Sequence, residues 1–100
     1  MGEPKKVNVI YSSRAIESIT NLSIYLASKG YPETATKFCK KLYDFGDSLG
    51  IIPNKYGICR FKDLSLYKLR CAVYKDWVFI HKTENDQVII MEIVHSSNLK

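Results

Sequence analysis

Hydrophobic and polar positions recur along this chain with two different periods, and the change from one to the other marks out its elements. Residues 7–11, Val-Asn-Val-Ile-Tyr, are a short run rich in β-branched side chains and predict a first strand. The spacing then becomes three and four. Ile16, Ile19, Leu22 and Leu26 make one apolar stripe, with Arg14, Glu17, Ser18 and Asn21 largely on the other side, as in an amphipathic helix. Ser12 and Ser13 offer a hydroxyl for its N-cap, and Lys29-Gly30 ends it with a glycine able to take the left-handed conformation. Tyr31-Pro32 starts a second helix, where proline loses no needed N–H and Glu33 meets the positive end of the dipole. Ala35, Phe38, Leu42, Phe45 and Leu49 then form a seam for packing on the first helix and a sheet. Gly46 inside that seam costs about 1 kcal/mol relative to alanine, which predicts a weak last turn. Gly50 and Pro53 stop the helix, and the short connection between the two predicts an antiparallel hairpin.

Beyond Pro53 the period falls to two. Residues 53–57 read as a loop, 58–62 as a short strand or extended segment and 63–65 as a turn. From 66 to 75 the faces separate, with Leu69, Cys71 and Val73 on one and Lys68, Arg70, Ala72 and Tyr74 on the other. Lys75-Asp76 is a tight turn into a strand through Val78, Phe79 and Ile80. Glu84-Asn-Asp-Gln87 is the next turn, rich in residues that tolerate left-handed geometry. Residues 88–94 are apolar on both faces apart from Glu92, as a central strand would be, and His95 closes them. The expected fold is α+β in a single domain spanning 1–100: a short N-terminal strand, an antiparallel helix hairpin, then a three- to four-stranded antiparallel sheet.

Composition narrows the class. With 46% hydrophobic and 25% charged residues among 100, the chain is globular and not a disordered tail. No apolar run approaches the roughly 20 residues that span a bilayer. The N-terminal segment also lacks the apolar stretch of a secretory signal, so a cytoplasmic protein without a membrane partner is expected. Three cysteines are an odd count with no CxxC spacing, which argues against a disulfide framework or a zinc site. Cys39, Cys59 and Cys71 are read as small buried hydrophobes in a reducing compartment. A net charge of +5 makes an acidic partner plausible, whether nucleic acid, ribonucleoprotein or acidic protein.

No GxGxxG, phosphate-binding GKS or GKT, GxSxG or HExxH is present, and neither histidine has a ligand-type neighbour, so no cofactor and no metal are expected. What remains is basic and aromatic. Arg70 shares a strand face with Lys68 and Tyr74, and Arg60 and Lys62 precede it on the neighbouring segment, so antiparallel pairing could gather them into one patch. Arginine can bind a phosphate bidentately, histidine can exchange a proton near neutral pH, and tyrosine can stack on a base. A metal-independent ribonuclease needs about that set, with Arg70 as the cation and His95 as acid or base. The same residue types also occur as solvated cations and packing aromatics. His81, beside Phe79, reads as structural.

The order of these pieces resembles the RelE/ParE superfamily of type II toxin–antitoxin toxins. Its N-terminal part is Ser12-Ser-Arg-Ala15, then Ile24-Tyr-Leu-Ala27 and Gly30-Tyr-Pro-Glu-Thr-Ala35. The C-terminal part is Tyr67-Lys-Leu-Arg70, Trp77-Val-Phe-Ile80 and Ile93-Val-His95. The resemblance implies helices packed on a twisted antiparallel sheet and a cognate antitoxin that folds over the positive patch. It implies one of two activities. RelE-like members cleave mRNA on the ribosome, using an arginine that matches Arg70 and further basic or aromatic residues near the C-terminus. ParE-like members inhibit DNA gyrase and lack that full set. After His95 this chain reads Ser96-Ser-Asn-Leu-Lys100, which matches neither the basic or tyrosine-bearing end of the nucleases nor the His-Gly-x-Arg-Asp of ParE. The balance leans slightly to ParE. A nucleic-acid-binding module and a protein-interaction domain without toxicity stay open.

Overall fold

The computed structural model describes residues 7–51, 56–59 and 68–98. Its elements follow in the order β1 (Asn8–Tyr11), α1 (Ser13–Ser28), α2 (Pro32–Ser48), β2 (Arg70–Tyr74), β3 (Trp77–Glu84) and β4 (Gln87–His95), closed by a short 3-10 turn, Ser96–Asn98. The sheet order is β1-β4-β3-β2. The meander from β2 to β4 is antiparallel as expected, but β1 runs parallel to β4, so the four-stranded sheet is mixed. β4 is therefore an interior strand; Val88, Ile90 and Ile93 pack under the helices and Val94 joins an apolar cluster on the other face, so both faces carry apolar residues.

Local chemistry accounts for each boundary. Ser12 caps α1 by accepting from the Ala15 N–H at 3.1 Å. Gly30, at φ 92°, turns the chain out of α1. Asn85 and Asp86 both take positive φ, as a two-residue hairpin turn requires.

One side of the sheet is covered by the helix hairpin. Ala15 and Ile19 from α1, with Leu42 and Leu49 around α2, bury against Ala72, Phe79, Val88, Ile90 and Ile93. On β4 the inward positions shift from even to odd numbers. The reason is a bulge: Ile80 pairs with Glu92 and His81 with Ile90, so Met91 has no partner on β3. Its carbonyl accepts the Ser12 hydroxyl at 2.6 Å, and Ser12 N–H donates to Ile90 O at 3.0 Å. The same serine therefore caps α1 and fastens it to the bulge.

Gly46 has a packing role that the helix pattern did not show. It is buried, and a Cβ there would collide with the Tyr11 hydroxyl. That hydroxyl lies 2.8 Å from Asp47 Oδ1 and 2.9 Å from the Tyr43 carbonyl oxygen, sharing its proton between them. Burial first, and then the Asp47 carboxylate, raise the Tyr11 pKa well above the usual phenol value. The glycine opens the space that lets β1 dock on α2.

The cysteines bring a correction. Cys59 and Cys71 form a disulfide across the sheet edge, with Cα atoms 5.0 Å apart, while Cys39 is free on α2. Cys59 packs with Val78 and Ile80 in a small cluster on the sheet face away from the helices, with Leu69, Cys71 and Val94 around it. The odd count without CxxC spacing had argued against a disulfide framework, with the cysteines read as buried thiols, yet the two segments lie side by side. Cys59 N–H donates to Leu69 O at 2.7 Å and Cys71 N–H to Gly57 O at 3.2 Å, around a bridge between Ile58 and Arg70.

Candidate functional site around Arg70

Which face of β2 looks inward decides where the sequence-derived site residues lie. Ala72 pairs with Phe79, whose side chain is wholly buried under the helices, and Ala72 is likewise fully buried. Alternation then puts Arg70 and Tyr74 on that inner side as well. Leu69, Cys71 and Val73 take the outer face, where Val73 is 57% exposed. The face expected to present a basic patch to solvent is the helix-facing one.

Arg70, the first residue of β2, is half-buried, and its Nη1 donates to the Tyr56 carbonyl at 2.7 Å. Tyr74 is half-buried against Phe45, ring centroids 5.2 Å apart, and Lys75 Nζ lies 5.7 Å from its ring. Lys68 stands before β2 with φ 55° and is exposed, so it does not share the Arg70 strand face. Arg60 and Lys62 lie outside the described residues, as does Tyr67.

His95 ends β4 at the other end of the sheet. Its ring meets Trp77 edge-on at 5.2 Å. The Ser97 N–H donates to His95 Nδ1 at 3.2 Å, with Ser97 Oγ 2.8 Å from the same nitrogen. A backbone N–H can only donate, so Nδ1 is the acceptor and the proton of the neutral ring sits on Nε2.

The structure does not bring Arg70 and His95 together. Arg70 pairs with His81 on β3, whereas His95 pairs with Trp77, four residues away along the same strand. At about 3.3 Å per residue and about 4.8 Å per strand, their backbones are roughly 16 Å apart. With one side chain tied to Tyr56 and the other packed on Trp77, they do not converge on one phosphate. A general acid or base must come within about 3 Å of the proton it moves.

The residue next to Arg70 is instead His81, which sequence reasoning had set aside as structural. It is fully buried. Its Nδ1 lies 3.0 Å from the Phe79 carbonyl oxygen and must donate to it, which leaves Nε2 bare. Among the described residues Nε2 has no hydrogen-bond partner. Burial is the main cause that lowers the His81 pKa; the Phe79 carbonyl pulls the other way, and the Arg70 charge adds to the lowering. The Tyr56 ring stands edge-on at 6.4 Å. Nothing in the local sequence distinguishes this histidine from a packing one; its cross-strand partner does.

A groove of about 540 Å³ lies elsewhere, between the start of α1 and the outer sheet face, lined by Ser12, Arg14, Leu69, Ile80, Met91 and Glu92. Among the described residues no cluster of three or more His, Cys, Asp or Glu side chains could hold a metal ion, and no helix is long and apolar enough to cross a membrane.

This arrangement, a strand and helix hairpin leading into an antiparallel meander with the first strand beside the last, is an α+β fold. Among solved structures the chain is similar to one described as the chromosomal ParDE TA (toxin–antitoxin) system from P. aeruginosa. The TM-score is 0.73 at 11% identity, over 90% of this chain and 96% of that one. At that identity the likeness is one of fold. Neither a family model nor a curated protein matches the sequence.

Proposed function

We propose that the chain is the toxin of a type II toxin–antitoxin module, restrained by a cognate antitoxin and acting by binding its target instead of cleaving RNA. The observation that carries the reading is the fold, which is shared over nearly the full length of both chains with part of a toxin–antitoxin system. The net charge of +5 suits an acidic antitoxin segment that folds on binding. Between the two activities of such toxins, the separation of Arg70 from His95 favours the ParE-like one, inhibition of DNA gyrase. A RelE-like nuclease needs a cation and a proton-transfer group at one phosphate.

Purified protein titrated into a gyrase supercoiling reaction tests the target. Supercoiling should fall as the protein is added, and Arg70→Ala should weaken the effect while melting as a folded protein. Unchanged supercoiling at molar excess would remove gyrase as the target. Undiminished inhibition by a folded Arg70→Ala would remove Arg70 from the contact.

A further inference from the structure

The segment 56–59 pairs alongside the start of β2 at the sheet edge, and its first residue, Tyr56, reaches both Arg70 and His81 on the helix-facing side. Tyr56 supplies the carbonyl that holds Arg70 Nη1 at 2.7 Å and a ring 6.4 Å from that of His81. In the backbone the segment is tied to β2 through the two bonds flanking the bridge between Ile58 and Arg70, while Gly57 and Ile58 are exposed. A pairing so short is marginal in water. The Cys59–Cys71 disulfide holds it closed in the oxidised protein. Beside the Tyr56 ring sits a fully buried imidazole nitrogen without a partner among the described residues, a group whose desolvation is not repaid in the closed form. A covalent tie at the sheet edge that holds Tyr56 against an unsatisfied nitrogen and a half-buried guanidinium is the arrangement of a cover.

We propose that the Cys59–Cys71 disulfide is a redox latch, whose reduction releases the segment 56–59 from β2 and uncovers Arg70 and His81. Cys71 is half-buried and Cys59 is 2% exposed, so an incoming thiolate of a dithiol reductant attacks Cys71 Sγ. The S–S electron pair leaves on Cys59 Sγ, which takes a proton, and a mixed disulfide joins Cys71 to the reductant. The second thiol of the reductant then displaces Cys71 Sγ, which is protonated in turn. The protein ends with two thiols and the reductant as a disulfide. A disulfide oxidant such as glutathione disulfide reverses the sequence and closes the latch. Cys39 stands apart on α2 and takes no part. None of this depends on the toxin reading, because its readouts need no target.

The test compares the oxidised protein with protein reduced by dithiothreitol and transferred to anaerobic buffer. Amide hydrogen exchange should speed up about 100-fold at 57–59 and at 69–71, the opening that closing a loop of this length otherwise opposes. Exchange at Phe79 and Ile90, in the buried core, should not change. Carbethoxylation of His81 by diethyl pyrocarbonate should rise roughly tenfold as local opening exposes it, while His95 reacts as before. Cys71→Ser should behave as the reduced form and ignore glutathione disulfide. Unchanged exchange at 57–59 with unreactive His81 would make the disulfide a plain staple and overturn the latch. Loss of protection at Phe79 and Ile90 together with the segment would also overturn it, since that is unfolding of the whole domain.

Discussion

Replacing Gly46 by alanine separates two physical effects of opposite sign. Helix propensity alone favours the alanine by about 1 kcal/mol in a helix interior. The new methyl would, however, meet the Tyr11 hydroxyl and crowd two ring carbons, each 3.0 Å away. Tyr11 cannot yield without leaving Asp47 and the Tyr43 carbonyl, and its ring also stands edge-on to Tyr43 at 5.1 Å. A hydrogen bond to a charged group is worth about 1.5–3 kcal/mol, and the lower end applies because Asp47 is exposed. The ring contact adds about 0.5–1.5 kcal/mol. After the propensity gain is subtracted, Gly46→Ala should destabilise by about 1–2 kcal/mol, read as a lower urea midpoint at unchanged slope. In a Tyr11→Phe background the colliding oxygen is gone, so the same substitution should cost less, and the double-mutant cycle should show coupling. Stabilisation of the single variant by about 1 kcal/mol, the propensity value, would refute the packing argument.

Three further outcomes follow from the geometry. The lowered His81 pKa means that the unfolded chain, titrating near about 6.5, takes up a proton before the folded one does. His81 stability is thus present above that pH and lost as pH falls through the folded-state value; urea midpoints should drop more steeply on acidification for wild type than for His81→Gln, and equal slopes would contradict a buried neutral ring. Ser12→Ala removes both the α1 cap and the bond to Met91 O, and should cost about 1–2 kcal/mol in thermal unfolding; no change would mean that water replaces both. Leu42→Ala, at a side chain 1% exposed, should cost about 2–5 kcal/mol, and a neutral result would misplace the α2 seam.

Much of the fold was legible because periodicity is local. The stripe through Ile19 and the seam through Leu42 fall inside α1 and α2, although Ile16 of the predicted stripe is 45% exposed and Ala15 takes the core position. The cap at Ser12 and the turn at Asn85 and Asp86 were likewise readable from residue type. What escaped depends on partners distant in sequence. Period two on β2 defines two faces without saying which is buried. The more apolar face, with Cys71 and Val73, lies outside because Ala72 must fit opposite Phe79. The Met91 bulge leaves no mark in an apolar run, and the parallel pairing of β1 with β4 joins residues 79 apart. The disulfide was partly within reach, since Cys59 and Cys71 fell on adjacent predicted segments, but parity of the cysteine count spoke louder. For the candidate site, Arg70 was singled out by type and resemblance, whereas the placing of His81 beside it depended on strand register.

The most direct test of the account is brief induction of the chain in bacterial cells without an antitoxin, with growth followed and transcript 5′ ends mapped by primer extension. Growth arrest with intact transcripts is the predicted result, for a toxin that acts by binding. Codon-phased cuts abolished by Arg70→Ala would contradict it and establish a ribosome-dependent nuclease, and unimpaired growth with folded protein would contradict the toxin reading altogether.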